Sequence, residues 1–346
     1  TGQSSCTATS AGYYSSAGAA SQTACAVGTY QPSAGQSSCT NASSGYYVSS
    51  NASTSQTACS AGTYQANTSQ SSCINASTGY YVPTTAAISQ TACSTGTYQA
   101  SSGQSSCTDA SAGYYVDTTA ATSQTACAAG TYNSNTASTS SVACTVTDAG
   151  YFSSAGSASQ SACAAGTYQP STGQTSCIDA STGYYVASSA ATSPTACSPG
   201  TYQPSTGQSS CLAADAGYWV AGSGAGNQDP CSIGTYQPST GQTACLDADA
   251  GYYVPATASP SQTACPAGTY QPLSGQSTCT GASPGYYVSS TAATSQTACA
   301  VGTYQASSGQ ASCDDTDAGY YVSTTAASTQ TPCSNGTYQP STGQTS

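Results

Sequence analysis

Lysine, arginine and histidine are absent from all 346 residues, and glutamate is absent too, because each of the eleven acidic side chains is an aspartate. Without them, general acid–base catalysis, activation of a serine or cysteine nucleophile and Schiff-base chemistry lose their proton carriers; only a pair of aspartates in a shaped pocket could act. No enzymatic activity is therefore expected, with no catalytic residue, no metal and no cofactor. A formal charge of -11 unrelieved by any cation reverses the attraction that supplies most nucleic-acid affinity, so DNA and RNA are excluded as partners. No polybasic segment exists to hold an anionic membrane surface, and no apolar run approaches the roughly 18 to 20 residues that cross a bilayer. Membrane insertion of this chain is excluded on the same ground. One Phe, one Trp and no Met, with few Leu or Ile, leave too little aliphatic volume for a conventional core in a chain this long.

What is present is 20 cysteines in a background of Ser, Thr, Ala and Gly. Cytosolic glutathione would keep so many thiols reduced, so the expected setting is oxidising: secreted, extracellular or at a cell surface. The sequence opens at Thr1 in mid-motif, without an initiator Met or a signal peptide, and reads as a processed or excerpted piece of a longer array.

The organising feature is a repeat. Gly-Thr-Tyr returns at Gly28, Gly62, Gly96, Gly130, Gly166, Gly200, Gly234, Gly268, Gly302 and Gly336, a period of 34 with one slip of 36. Between these copies lies Gly-Tyr-Tyr, as at Gly45, Gly79 and Gly113, with Gly150-Tyr151-Phe152 and Gly217-Tyr218-Trp219 as variants; all 28 tyrosines fall in the two motifs. Cysteine gaps of 14 and 20 alternate along most of the chain, as in Cys93, Cys107 and Cys127, and sum to the period. Setting Ala110 against Cys93 sets Gln124 against Cys107, so the 34-residue repeat is a doubled 17-residue unit. One half has cysteine at both marked positions; the other has Ala or Thr at the first and usually Gln at the second.

The start Cys59-Ser60-Ala61-Gly62-Thr63-Tyr64 and the close Gly103-Gln104-Ser105-Ser106-Cys107 resemble the ephrin-receptor-like cysteine-rich repeats, which are similar in turn to the cysteine-rich modules of tumour necrosis factor receptors. The resemblance covers nearly the whole chain. In that family a Cys-x-x-Cys step joins successive units, whereas here it has become Cys107-Thr108-Asp109-Ala110 and Gln124-Thr125-Ala126-Cys127, which removes half the bridges. The resemblance implies local pairing: Cys25 with Cys39, Cys59 with Cys73, Cys93 with Cys107, Cys127 with Cys144, Cys163 with Cys177, Cys197 with Cys211, Cys231 with Cys245, Cys265 with Cys279, and Cys299 with Cys313. Spacing alone leaves a rival open, in which Cys39 joins Cys59 across the uncrosslinked half. Local pairing strands Cys6 and Cys333, whose partners are expected in neighbouring subunits or in further repeats.

The expected fold is a small, disulfide-rich, all-β one: residues 1–346 as a single array of about ten repeats, an elongated tandem-repeat rod of short β-hairpins with almost no helix. Pro and Gly in segments such as Gln31-Pro32-Ser33-Ala34-Gly35 predict a reversal between the two cysteines. Alternation along a strand turns Thr29 and Tyr30 to opposite faces; the residue two after the motif glycine, aromatic in both halves, is assigned to the inner face. The extra ring of Gly-Tyr-Tyr is expected to fill the space of the missing disulfide.

Asn41, Asn51, Asn67, Asn75 and Asn335 each open an Asn-x-Ser/Thr acceptor for N-linked glycans, and the dense hydroxyls suit O-linked sugars. Asp247 with Asp249, and Asp314 with Asp315 and Asp317, cluster mildly but lack EF-hand spacing, and read as turn-forming, solvated residues rather than as a calcium site. These features point to a glycosylated, self-associating structural protein of a cell surface, a fibre, sheath or stalk component. The alternative is a receptor-like or adhesin module that captures a protein or glycan through exposed Tyr, with Asn133 to Ser141 and Ala221 to Asp229 as the stretches that depart most from the repeat.

Overall fold

A computed structural model describes residues 5–346. Among these, 38 strands of two residues each pair into nineteen antiparallel hairpins, and the helical content is one turn of 3-10 helix at Ser141–Ala143. Cα proximity divides the chain into two compact units, Thr1–Cys163 with Gln169–Cys177, and Ala164–Tyr168 with Ile178–Ser346. Both follow one local plan.

The plan starts at the motif glycine. The Thr29 amide donates to the Ala26 carbonyl over 3.0 Å, closing a turn whose third residue, Gly28, sits at φ +82°, the left-handed geometry that a type II turn requires there. The Thr29 hydroxyl donates to the same carbonyl over 2.7 Å. In the other half Tyr46 closes the equivalent turn on Ser43 over 3.0 Å. Each turn launches a strand, Thr29–Tyr30 or Tyr46–Tyr47, and each strand pairs in the same register, Thr29 opposite Asn41 and Tyr46 opposite Ala58. The two halves are thus one structural unit built twice, and the residues between the strands form the reversal that Pro and Gly predict.

Successive halves are stitched together through the backbone. The Gly28 amide donates to Val48 over 2.8 Å, Gln31 to Ser53 over 3.0 Å, and Ala52 returns a bond to Cys25 over 2.8 Å. One half later the set recurs as Gly45 to Gln65, Val48 to Gln70 and Ser69 to Ala42. The second unit repeats it, with Gly200 donating to Val220 over 2.8 Å and Gly224 to Cys197 over 2.8 Å. Nearest-neighbour bonding of this kind satisfies backbone groups that strands of two residues could not satisfy alone. It also demands close approach: a Cβ added at Gly62 would overlap the Gly103 carbonyl oxygen, two halves onward.

The core is correspondingly narrow. Cys59, Gly62 and Gln65 are buried in one half and Ala76, Gly79 and Val82 in the next. This corrects the assignment of the inner face. Tyr30, Tyr47, Tyr64 and Tyr81 are only half-buried, whereas the next residue in each case, Gln31, Val48, Gln65 and Val82, is buried. A strand of two residues is too short for alternation to choose a face; the following half covers the third residue by bonding its amide, as Ser53 does for Gln31.

Candidate functional site

Nine disulfides close alternate halves: Cys25–Cys39, Cys59–Cys73, Cys93–Cys107, Cys127–Cys144, Cys163–Cys177, Cys197–Cys211, Cys231–Cys245, Cys265–Cys279 and Cys299–Cys313. In each, the first cysteine is fully buried and the second half-exposed. Cys6 and Cys333 are free thiols, Cys6 exposed and Cys333 half-buried. A buried glutamine braces each regular crosslinked loop. Gln65 donates from Nε2 to the Ser72 carbonyl over 2.9 Å and accepts the Asn67 amide over 3.1 Å, so its amide is satisfied although only 3% exposed. The loop from Cys127 to Cys144 is longer, 17 residues apart instead of 14. There Asn133 replaces the glutamine, donating to the Tyr114 carbonyl over 3.1 Å and to Ser138 Oγ over 2.8 Å.

In halves without a disulfide, a second glutamine acts as the closure. Gln56 Oε1 accepts the Ser43 amide over 2.7 Å, next to Ala42, which holds the place of the first cysteine. Gln90 to Ser77, Gln124 to Ser111 and Gln296 to Ser283 repeat this bond over 2.7 Å. Where aspartate replaces the serine, the clasp is doubled, because Gln228, Gln262 and Gln330 also donate Nε2 to the carboxylates of Asp215, Asp249 and Asp317 over 2.7, 2.6 and 2.6 Å. Asp249 and Asp317 are therefore clasp partners rather than merely solvated turn formers, while Asp247, Asp314 and Asp315 lie exposed on return strands. The expectation that the extra tyrosine fills the missing-disulfide space is also corrected. The glutamine spans it, and the first ring of the motif reaches elsewhere: a Cβ on Gly156, two halves onward, would come within 2.9 Å of the Tyr114 hydroxyl. One half lacks the clasp, with Pro194 at the glutamine position.

The five acceptor asparagines all lie on the surface. Asn41 and Asn75 are on exposed return strands, Asn51 and Asn67 in exposed loops, and Asn335 in an exposed turn. Asn51 accepts the Val27 amide through Oδ1 over 3.1 Å, which leaves its Nδ2 free. Shallow grooves recur where the second aromatic of a Gly-Tyr-Tyr motif stands beside the half-exposed sulfur of the next disulfide: Tyr47 with Cys73, about 430 Å³; Tyr81 with Cys107, about 470 Å³; and Trp219 with Cys245, about 230 Å³. Among the described residues no group of three or more Cys or Asp is placed to hold a metal ion, and no helix is long and apolar enough to cross a membrane.

Disulfide-closed loops that each open on a Gly-Thr-Tyr turn have a known counterpart. Two stretches of the chain match an ephrin-receptor-like family. Residues 12–59 and 150–197 match the family described as tyrosine-protein kinase ephrin type A/B receptor-like, and each stretch contains one whole crosslinked loop, Cys25–Cys39 or Cys163–Cys177. No curated protein matches the chain. The ephrin-receptor-like match is to a receptor-type cysteine-rich repeat and not to an enzyme family. The nine disulfides and nineteen hairpins make the chain a disulfide-rich repeat module, and these disulfides together with the receptor-like match suggest an extracellular or cell-surface setting.

Proposed function

We propose that the chain is a non-catalytic structural element of a cell surface, a glycosylated fibre, sheath or stalk component that self-associates into a longer array. The observation that supports this most is the stitching: each half hands the same backbone hydrogen bonds to the next, so lengthening the array requires no new type of contact. The composition agrees. A chain without Lys or Arg offers trypsin no cleavage site, and surface glycans on Asn41, Asn51, Asn67, Asn75 and Asn335 would supply the solubility that so few charges withhold. Small-angle scattering of variants with progressively fewer repeats tests the reading: the maximum dimension should fall in proportion to repeat number, and a dimension that scales as a globule would refute it. Treatment with an N-glycosidase should lower the mass of the secreted protein; an unchanged mass removes the N-linked part of the proposal.

A second reading, a receptor-like module that captures a partner on its aromatic grooves, is favoured by one departure from the repeat. Trp219 stands where the other hairpins carry Tyr or Phe, and its cross-strand neighbour is Asp229.

A further inference from the structure

In nine of the ten hairpins of the Gly-aromatic-aromatic type, the second aromatic lies opposite a hydroxyl residue, as Tyr47 opposite Thr57, Tyr253 opposite Thr263 and Phe152 opposite Ser161. The tenth pairs Trp219 with Asp229. Both members of the pair change together, and both changes favour the same ligand chemistry. Indole presents the aromatic face that holds a cation best, and a carboxylate directly across the strand supplies the opposite charge. Nothing inside the chain can take that role, since it has no Lys, Arg or His.

The surroundings fit a peptide rather than a free ion. The half-buried Trp219 ring walls a groove lined by Ser232, Thr235 and Cys245, and the residues following Ser232 and Cys245 are Ile233, 56% exposed, and Leu246, 49% exposed. Asp247, exposed next to Leu246, is paired in register with the groove residue Thr235. The groove thus has an aromatic wall, the carboxylate of Asp229 stands directly across the strand from it, and Ile233 and Leu246 are exposed next in sequence to groove residues, a combination that suits an anchor site at a protein interface. The net charge of -11 steers basic segments toward it and disfavours anionic polymers.

We propose that the Trp219 groove, with Asp229 across the strand from the ring, is a docking site for a basic side chain, arginine or lysine, flanked by apolar residues on a partner polypeptide. The cation stacks on the indole and pairs with Asp229, and the flanking side chains cover Ile233 and Leu246. The proposal goes beyond a structural role and leaves that role intact if it fails, because the scattering test does not involve this groove.

Trp219 is the single tryptophan of the chain, so its emission reports on the groove directly. Titration with the peptide acetyl-Leu-Arg-Leu-amide should change that emission saturably, while acetyl-Leu-Gln-Leu-amide and the neutral sugar cellohexaose should not. Added salt should weaken the response, because the pair is exposed and screened. Asp229→Thr, which installs the residue of most other hairpins, should weaken the arginine peptide about three- to ten-fold without altering the disulfide pattern. Trp219→Tyr, followed by broadening of the peptide's proton resonances, should weaken binding in the same direction. Equal responses to the Arg and Gln peptides, an unchanged affinity in Asp229→Thr, or a response to cellohexaose in place of the peptide would each overturn the proposal.

Discussion

If a half closed by glutamine has the same geometry as a half closed by a disulfide, the one should convert into the other. The test pair is Ala76 and Gln90, which occupy the places that Cys59 and Cys73 hold one half earlier and Cys93 and Cys107 one half later. Both neighbouring bridges span 5.8 Å between Cα atoms, and the strands of the intervening half pair in the same register, Tyr80 opposite Ala92 as Thr63 is opposite Asn75. Ala76 is fully buried like Cys59, and Gln90 is half-exposed like Cys73. In Ala76→Cys/Gln90→Cys the new bridge closes a loop of about 15 residues, worth about 3 kcal/mol in the chain-entropy account. The lost bond from Gln90 to the Ser77 amide subtracts about 1 kcal/mol. A net gain of about 2 kcal/mol corresponds to about 30-fold slower opening of this half. Native-state hydrogen exchange reads it, which avoids assigning one unfolding free energy to a whole array. The gain should vanish under reductant and be absent in Ala76→Cys alone. Two thiols that stay free in an otherwise folded protein would refute the equivalence of the halves.

Pro194 supplies a reciprocal case: with no clasp, the Ser181 amide should exchange faster than that of Ser77, and Pro194→Gln should slow it by about five-fold, one hydrogen bond's worth. Gln124→Ala should lower protection of the Ser111 amide by a similar factor, since the 2.7 Å bond it accepts is lost. Ala86 holds a left-handed backbone at φ +55°, so Ala86→Gly should stabilise by about 0.5 to 1 kcal/mol, the relief of left-handed strain less the added freedom of the unfolded chain. Gly62→Ala should go the other way by about 3 kcal/mol or more, as its Cβ meets the Gly103 carbonyl. Urea denaturation of a short repeat variant compares the two glycine-site substitutions, and equal signs would count against the turn geometry.

Much of this plan is legible from residue spacing. The Gly-Thr-Tyr and Gly-Tyr-Tyr registers mark the turns, the 14-residue cysteine gap marks the loop, and the match of Gln124 with Cys107 reveals the 17-residue half. Hairpins without α-helix follow from the same punctuation. What spacing does not reveal is which residue faces inward, because strands of two residues carry no period and burial is imposed by the next half. The role of the glutamines is hidden for a related reason. Their recurrence at the second cysteine position is visible, yet the donor to Gln56 Oε1 is a backbone amide thirteen residues away, which no side-chain pattern marks. Asp249 and Asp317 look like turn residues because their partners, Gln262 and Gln330, lie as far along the chain. Trp219 stands out in the sequence as a variant, and Ala221 to Asp229 as an irregular stretch, but only the strand register sets Trp219 against Asp229.

The claim on which the rest depends is that each disulfide closes its own half, leaving the alternate halves to glutamine. Tyrosines separate all successive cysteines, as Tyr30 separates Cys25 from Cys39 and Tyr47 separates Cys39 from Cys59. Chymotryptic cleavage of the unreduced protein therefore yields peptides with one cysteine each, and mass spectrometry of the linked pairs reads the pairing directly. The peptide containing Cys39 should be found joined to that containing Cys25, and so on through Cys299 with Cys313. Recovery of Cys39 joined to Cys59 instead would place the bridges across the halves assigned to glutamine and contradict the account.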